Sequence, residues 1–428
     1  MDFTIERLGQ PKYISPITIK TGKQYVEDSL RILLNPHIKA GELPKTSLDK
    51  QDAFEVSGPR QKIFFQPAQT HAAIVSCGGL CPGINSVVQS LVEHLALRYG
   101  VTQITGFRYG YNGFVDKNSP PITLTPELTS DIHRSGGTIL GTSRGTPATA
   151  KIVDVLVERK IDILFTIGGD GTLRGAYELY KEIKRRGLAI AIVAIPKTID
   201  NDIPFVKKSF GFETAVTEAS ASVRSAFVEA SSLRRGIGLV KLMGRHAGYI
   251  AAISSLAAGH VDYCLIPEVP FSFEGEAGLL KLLEQRLRSH NYAVIVVAEG
   301  AGQKYFTDDG ERDASGNVKL KDVGLLLKSR IEAYFKETQS PVSIKYIDPS
   351  YLIRSAPAVP SDQIFCRRLA QAAVHAAMSG KTGLLIGYWH GELTHVPLVA
   401  LGGKSQAINP KGELWFNVLE TTGQPAQI

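Results

Sequence analysis

From His71 onward, short runs of β-branched and other apolar residues alternate with stretches whose apolar positions recur every three to four residues. The runs predict strands at Ala72–Ser76, Val101–Phe107, Ile163–Ile167, Ala189–Ile195, Ile237–Lys241, Val261–Ile266 and Ala293–Ala298. Several are apolar on both faces, as parallel strands covered by helices must be. The periodic stretches predict helices. Leu173, Ala176, Leu179, Tyr180 and Ile183 share one face of a helix that Gly187 can end. Phe212, Val216, Ala219, Val223 and Phe227 mark a second. Ser361 is the expected N-cap of a third, ending near Gly380, with Asp362 favourable in its first turn. Such alternation predicts an α/β fold with strands enough for two sheets. Residues 1–70 lack the alternation and read as an N-terminal extension lying on the body of the protein.

Composition narrows the picture. Of 428 residues, 43% are apolar and 21% charged, which excludes wholesale disorder. The longest apolar stretch, Leu188–Ile195, is too short to span a bilayer, and MDFTIERLGQ does not read as a signal peptide. Four cysteines do not make a disulfide framework, and Cys77 and Cys81 have no second pair nearby to complete a zinc site. A cytoplasmic protein is expected. The net charge of +7 points to an anionic partner. No zinc-finger or aromatic RNA-binding signature accompanies the few basic runs, so nucleic acid is not expected. Glycine is the outlier, at 41 of 428 residues against about 7% ordinarily.

Many of these glycines fall in loops after strands, where ligands of α/β sheets bind. In Ser76-Cys77-Gly78-Gly79-Leu80-Cys81-Pro82-Gly83 they allow an anion to approach the backbone, or simply a tight turn. In Gly136-Gly137-Thr138-Ile139-Leu140-Gly141-Thr142-Ser143-Arg144-Gly145 an arginine flanked by small residues can fork onto phosphate oxygens, or lie on the surface. In Gly168-Gly169-Asp170-Gly171-Thr172 the glycines can cradle phosphate and Asp170 can hold Mg2+. NAD kinases and lipid kinases use that string too. The fourth loop, Pro196-Lys197-Thr198-Ile199-Asp200-Asn201-Asp202, places two carboxylates two residues apart after a buried strand. One can act as base toward a substrate hydroxyl, whose proton must leave as a P–O bond forms. Lys197 adds a mobile positive charge beside them.

In this order the loops resemble those of the phosphofructokinase family. Lys241-Leu242-Met243-Gly244-Arg245, Ala298-Glu299-Gly300-Ala301-Gly302 and Lys345-Tyr346-Ile347-Asp348-Pro349-Ser350-Tyr351-Leu352-Ile353-Arg354 extend the match. Gly58-Pro59-Arg60-Gln61-Lys62 and the tail Thr421-Thr422-Gly423-Gln424-Pro425 are similar to the long ATP-dependent branch of plants and trypanosomatids. The resemblance implies two Rossmann-like lobes with mainly parallel sheets and helices on both faces. One would hold residues 71–211 with a return near 355–400, the other 212–354 with the tail 401–428. It implies a homodimer or homotetramer phosphorylating fructose 6-phosphate with MgATP.

The same resemblance implies a role for each candidate residue. Asp200 takes the proton from the 1-hydroxyl of the sugar, and Asp170 holds Mg2+ on the nucleotide. Arg144, Lys197 and Thr198 attend the transferring phosphoryl group. Gly78, Gly79, Gly169, Gly171 and Thr172 line the phosphate path. Asp202, Met243, Gly244, Arg245, Glu299, Lys345, Tyr351 and Arg354 meet the sugar phosphate. The donor is set by two positions. Gly171 favours ATP, since pyrophosphate-dependent members usually carry aspartate there. Lys197 is shared with those members. Nine residues before Arg245, where short bacterial members have an arginine reaching a neighbouring subunit, stands Gly236. The adjacent Arg235 is not assigned that role, and Lys345 is the better candidate for it. The alternatives are a pyrophosphate-dependent enzyme and a non-catalytic sugar-phosphate-binding subunit.

Overall fold

The computed structural model describes residues 2–17, 25–37, 52–307, 310–312, 318–403 and 405–428. Its backbone divides into two compact units. The first comprises Met1–Thr198, Ile203–Gly211 and Pro357–Lys404, the second Ile199–Asp202, Phe212–Ala356 and Ser405–Ile428. The chain thus leaves the first unit inside the Lys197-to-Asp202 string, between Thr198 and Ile199.

Among the described residues, nine strands form the large sheet of the first unit. Across it, the neighbours run Arg31–Leu33, Ala53–Val56, Glu392–Pro397, Leu384–Trp389, Ala191–Pro196, Ile163–Gly168, His71–Ser76, Gln103–Phe107 and Ile122–Thr123. The five from Leu384–Trp389 to Gln103–Phe107 are parallel. Both flanks are antiparallel. Ile163–Gly168 and Ala191–Pro196 are buried at every position, which explains their unbroken apolar runs. The helix Asp170–Arg185 buries Leu173, Ala176, Leu179 and Ile183 as its periodicity requires, and Gly187 follows it with φ +66°.

Two expectations are corrected here. The reading of residues 1–70 as an extension lying on the body does not hold for Ala53–Val56: all four residues are buried, and the strand pairs with both Arg31–Leu33 and Glu392–Pro397. Its Glu55 carboxylate receives Arg60 at 2.9 Å, His395 at 3.0 Å and Lys381, an ionic cluster that the hydrophobic pattern cannot reveal. Nor is Ser361 a cap. The third helix runs Pro360–Met378 from Val359, because proline lacks only an N–H that the first turn leaves unused. Asp362 does lie in that first turn.

Among the described residues, the second unit has four parallel strands in the order Tyr263–Leu265, Tyr292–Ala298, Gly236–Leu242 and Ser343–Ile347. Helix Phe212–Ser231 buries Phe212, Ala215, Ala219, Val223 and Ala226 against it, with Val216 and Phe227 half-buried at the margin. The tail contributes helix Glu413–Thr422, whose Trp415 and Val418 join the same core. Among the described residues no helix is long and apolar enough to cross a membrane.

Candidate active site

In the first unit the four loops are tied to one another. The Cys77 N–H donates to the Ile167 carbonyl at 3.0 Å, and the Gly78 N–H donates to the Ser143 carbonyl at 3.0 Å. The Thr142 hydroxyl returns a bond of 2.6 Å to the Gly78 carbonyl. The Lys197 N–H donates to the Gly168 carbonyl at 3.0 Å. Lys197 itself is only 5% exposed, and its ammonium donates to the Gly79 carbonyl at 2.6 Å. The mobile charge expected from the sequence is therefore a buried clasp joining the first loop to the fourth. Thr198 is half-buried and its carbonyl accepts from the Ser209 hydroxyl at 2.6 Å.

Gly169 caps helix Asp170–Arg185, and Asp170 is that helix's first residue, so its carboxylate stands at the positive end of the helix dipole. Thr172 is 5% exposed, its side chain packed on Gly168 and its carbonyl accepting from the Tyr111 hydroxyl at 2.9 Å. It holds the loop's shape more than it faces a ligand. A side chain built at Gly79 or Gly171 would meet nothing within 4 Å. Arg144 is exposed, its carbonyl held by the Asn112 amide at 3.2 Å. All four cysteines are buried and none is in a disulfide, and burial pushes the Cys77 thiol up to about 12.

In the second unit, Asp200 is the centre. Burial, then the charges of Asp202 and Glu299, push its carboxyl up to about 7; the Arg245 N–H and the charge of Arg354 pull against them. That N–H lies 3.4 Å from Oδ2. Asp202, Glu299, Arg245 and Arg354, all expected from the sequence, thus act on one group. Arg245 also donates through Nη1 to the Val318 carbonyl at 2.5 Å. Met243 is 1% exposed, and its sulfur accepts from Nε of Arg354 at 3.1 Å. Met243 is core, and its link to the site is Arg354. Gly244 has φ +130°, and Gly300 carries no side chain because a Cβ would stand 2.0 Å from the Arg245 carbonyl oxygen. Lys345 faces Glu229 at 3.9 Å, and Tyr351 is 83% exposed; neither belongs to the groups that shift Asp200. Arg235, at φ +54°, lays its guanidinium 5.4 Å over the Phe335 ring.

Sequence reasoning misses the supports. The Gln406 N–H donates to the Asp202 carbonyl at 2.7 Å and its amide to the Asn201 carbonyl at 2.9 Å. The Glu268 carboxylate accepts from the Gly248 and Ile408 N–H groups. Gln406 stands 205 residues from the Asn201 it holds, so no local pattern could find it. Gly300 lies inside its motif with no role to read from the sequence, though its steric position is decisive.

The phosphofructokinase family model matches residues 71–377. The chain belongs to the phosphofructokinase family. A phosphofructokinase of Amycolatopsis methanolica, named ATP-dependent 6-phosphofructokinase, is 45% identical over all of this chain and 95% of its own length. One of Borreliella burgdorferi with the same name is 46% identical over 99% of this chain and 97% of its own. A Trypanosoma cruzi relative, again so named, is 42% identical over 98% and 87%. Among solved structures, a phosphofructokinase of Marinobacter aquaeolei titled pyrophosphate-dependent shares the fold with a TM-score of 0.68, at 21% identity over 82% of this chain and 91% of that one.

Proposed function

We propose that this phosphofructokinase is ATP-dependent and transfers the γ-phosphoryl group of MgATP to O1 of fructose 6-phosphate, giving fructose 1,6-bisphosphate and ADP in glycolysis. The observation that carries the reaction is Asp200. A carboxyl raised to about 7 is matched to accept a hydroxyl proton at neutral pH. The proton leaves O1 for Asp200 Oδ as O1 bonds the phosphorus and the β–γ bridging bond breaks. Arg144 offsets negative charge on the moving group. Glu299 accepts from sugar hydroxyls, Arg245 and Arg354 attract the substrate phosphate, and Asp202, Lys345 and Tyr351 complete the sugar side.

The donor chemistry rests on Gly171, whose open side leaves room that an aspartate would fill with charge. The relatives named ATP-dependent support the same choice. Mg2+ usually takes one or two carboxylates and completes its shell with phosphate oxygens and water, and Asp170 offers such a carboxylate at the start of helix Asp170–Arg185. Asp170 would hold it. When bound, Mg2+ neutralises charge on the β- and γ-phosphates. The enzyme is assigned to the cytoplasm as a homodimer or homotetramer, an assembly that sizing chromatography checks.

The test is turnover of purified protein with each donor alone. Activity with MgATP and none with pyrophosphate is expected. Turnover with pyrophosphate and none with MgATP overturns the reading.

A further inference from the structure

The string that carries Arg245 begins with Lys241, which the reaction leaves without a role. Its ammonium lies 2.8 Å from Asp322 Oδ2 and 2.9 Å from Asp348 Oδ2, and its side chain is 13% exposed. We propose that Lys241 is a positioning residue for the sugar-phosphate side of the site, fixing in one place the segments that carry Arg245 and Arg354.

Each carboxylate that meets Lys241 organises a different segment with its other contacts. Asp348 Oδ1 accepts from the Ser350 N–H at 3.1 Å and the Ser350 hydroxyl at 2.5 Å. Ser350 opens the short helix Ser350–Ser355, and Arg354 lies on it. Asp322 Oδ1 accepts the Leu325 N–H at 3.1 Å and caps helix Val323–Glu337. Two residues before Asp322 lead to the site: the Val318 carbonyl accepts from Arg245, and the Lys321 carbonyl takes the Gln303 amide that also reaches the Glu299 carbonyl. The Tyr346 hydroxyl donates to Asp322 at 3.1 Å. Lys241 stands on strand Gly236–Leu242, in register with Val297 of the neighbouring strand, so the hub is built on the rigid part of the unit.

The charges explain why the tie is tight. Burial alone would push the Lys241 ammonium toward its neutral form, but its hydrogen bonds to Asp322 and Asp348 outweigh that and hold it charged well above the usual lysine range. Removing the ammonium leaves two acids facing one another, each then free to turn toward water and release its segment. An ordinary surface pair contributes little and would not move a distant arginine. This hub differs because each acid also holds the first turn of the helix it precedes.

The inference rests on the assignment of fructose 6-phosphate as substrate. It is tested by calorimetric titration of fructose 6-phosphate, without donor, into the full chain and into Lys241→Met, Asp348→Asn, the double variant and Lys241→Arg. Each single variant is expected to raise Kd about 10-fold, and the double variant no further than Lys241→Met alone, since removing the ammonium already breaks the tie to Asp348. Lys241→Arg retains affinity within about threefold, and KM for MgATP stays at the wild-type value in all four. Unchanged Kd in the single variants, even if they melt earlier, overturns the inference alone. So does a double variant whose loss is the product of the two. A wild-type chain without affinity for fructose 6-phosphate overturns the functional reading and this one with it.

Discussion

Gly79 and Gly171 in the first unit leave open space where a side chain would stand, whereas Gly244 and Gly300 in the second are pressed against backbone oxygen atoms 2.6 and 2.0 Å from a built Cβ. The same residue type serves opposite ends. On the proposed donor side glycine leaves room that a bulky polyanion beside a helix N-terminus would need. On the proposed acceptor side glycine lets the loops of Arg245 and Glu299 close on each other, so that charged side chains crowd Asp200. Shape decides in one unit and electrostatics in the other. A change that adds volume to the first should therefore spare folding and damage donor use. A change that adds volume to the second should damage folding.

The largest effect expected is on the electrostatic side. Asp200→Ser should lower kcat by about 10³-fold, within the usual worth of a positioned base, while calorimetry still detects fructose 6-phosphate binding. A kcat near wild type removes Asp200 from the base role. Next comes Gly171→Asp. Like charges beside the nucleotide phosphates cost several kcal/mol, so kcat/KM for MgATP should fall about 100-fold, with Tm within about 2 °C of wild type. Unchanged ATP kinetics would undo the steric and charge argument for the donor. Gly300→Ala should show the opposite signature: its Cβ meets backbone that cannot yield cheaply, and denaturant titration should show a loss of about 2–3 kcal/mol. If Gly300→Ala is as stable as wild type, the contrast between the two kinds of glycine fails.

This contrast also marks what is legible in the sequence. The apolar runs and glycine loops of the first unit lie close together along the chain, so strands such as Ile163–Gly168 and the loop after it can be read within a residue or two. The candidate residues around Asp200 can be read as motifs. Their environment cannot, because it comes from residues far apart: Gln406 reaches the Asn201-Asp202 backbone, and Met243 acts through Arg354. Lys197 looks mobile from the sequence for the same reason, since its partner Gly79 lies more than a hundred residues earlier. The buried strand Ala53–Val56 escapes a pattern search because one of its four buried residues is Glu55, whose charge hides the apolar run until Arg60, Lys381 and His395 are found around it.

The smallest effect is a pH dependence of stability, and its sign separates the electrostatic side from the rest of the molecule. Most shifted carboxylates behave like Asp322 and Asp348, which burial would raise but which their hydrogen-bond donors, Lys241 among them, hold below the usual value. Such groups favour the folded chain as pH rises. Asp200 is raised, from 3.8 to about 7. Its contribution is fully present below pH 3.8 and is lost as pH rises through about 7, because the folded chain must give up a proton that the unfolded chain has already released. Asp200→Asn removes that loss and leaves the other carboxylates in place, so subtracting the two stability curves cancels their effect. The variant should gain on wild type between pH 5 and pH 8 by on the order of 1–3 kcal/mol, read from urea midpoints at matched ionic strength. A flat difference would mean that Asp200 titrates as an ordinary carboxylate, and the crowding of Asp202 and Glu299 around it would then carry no weight in catalysis.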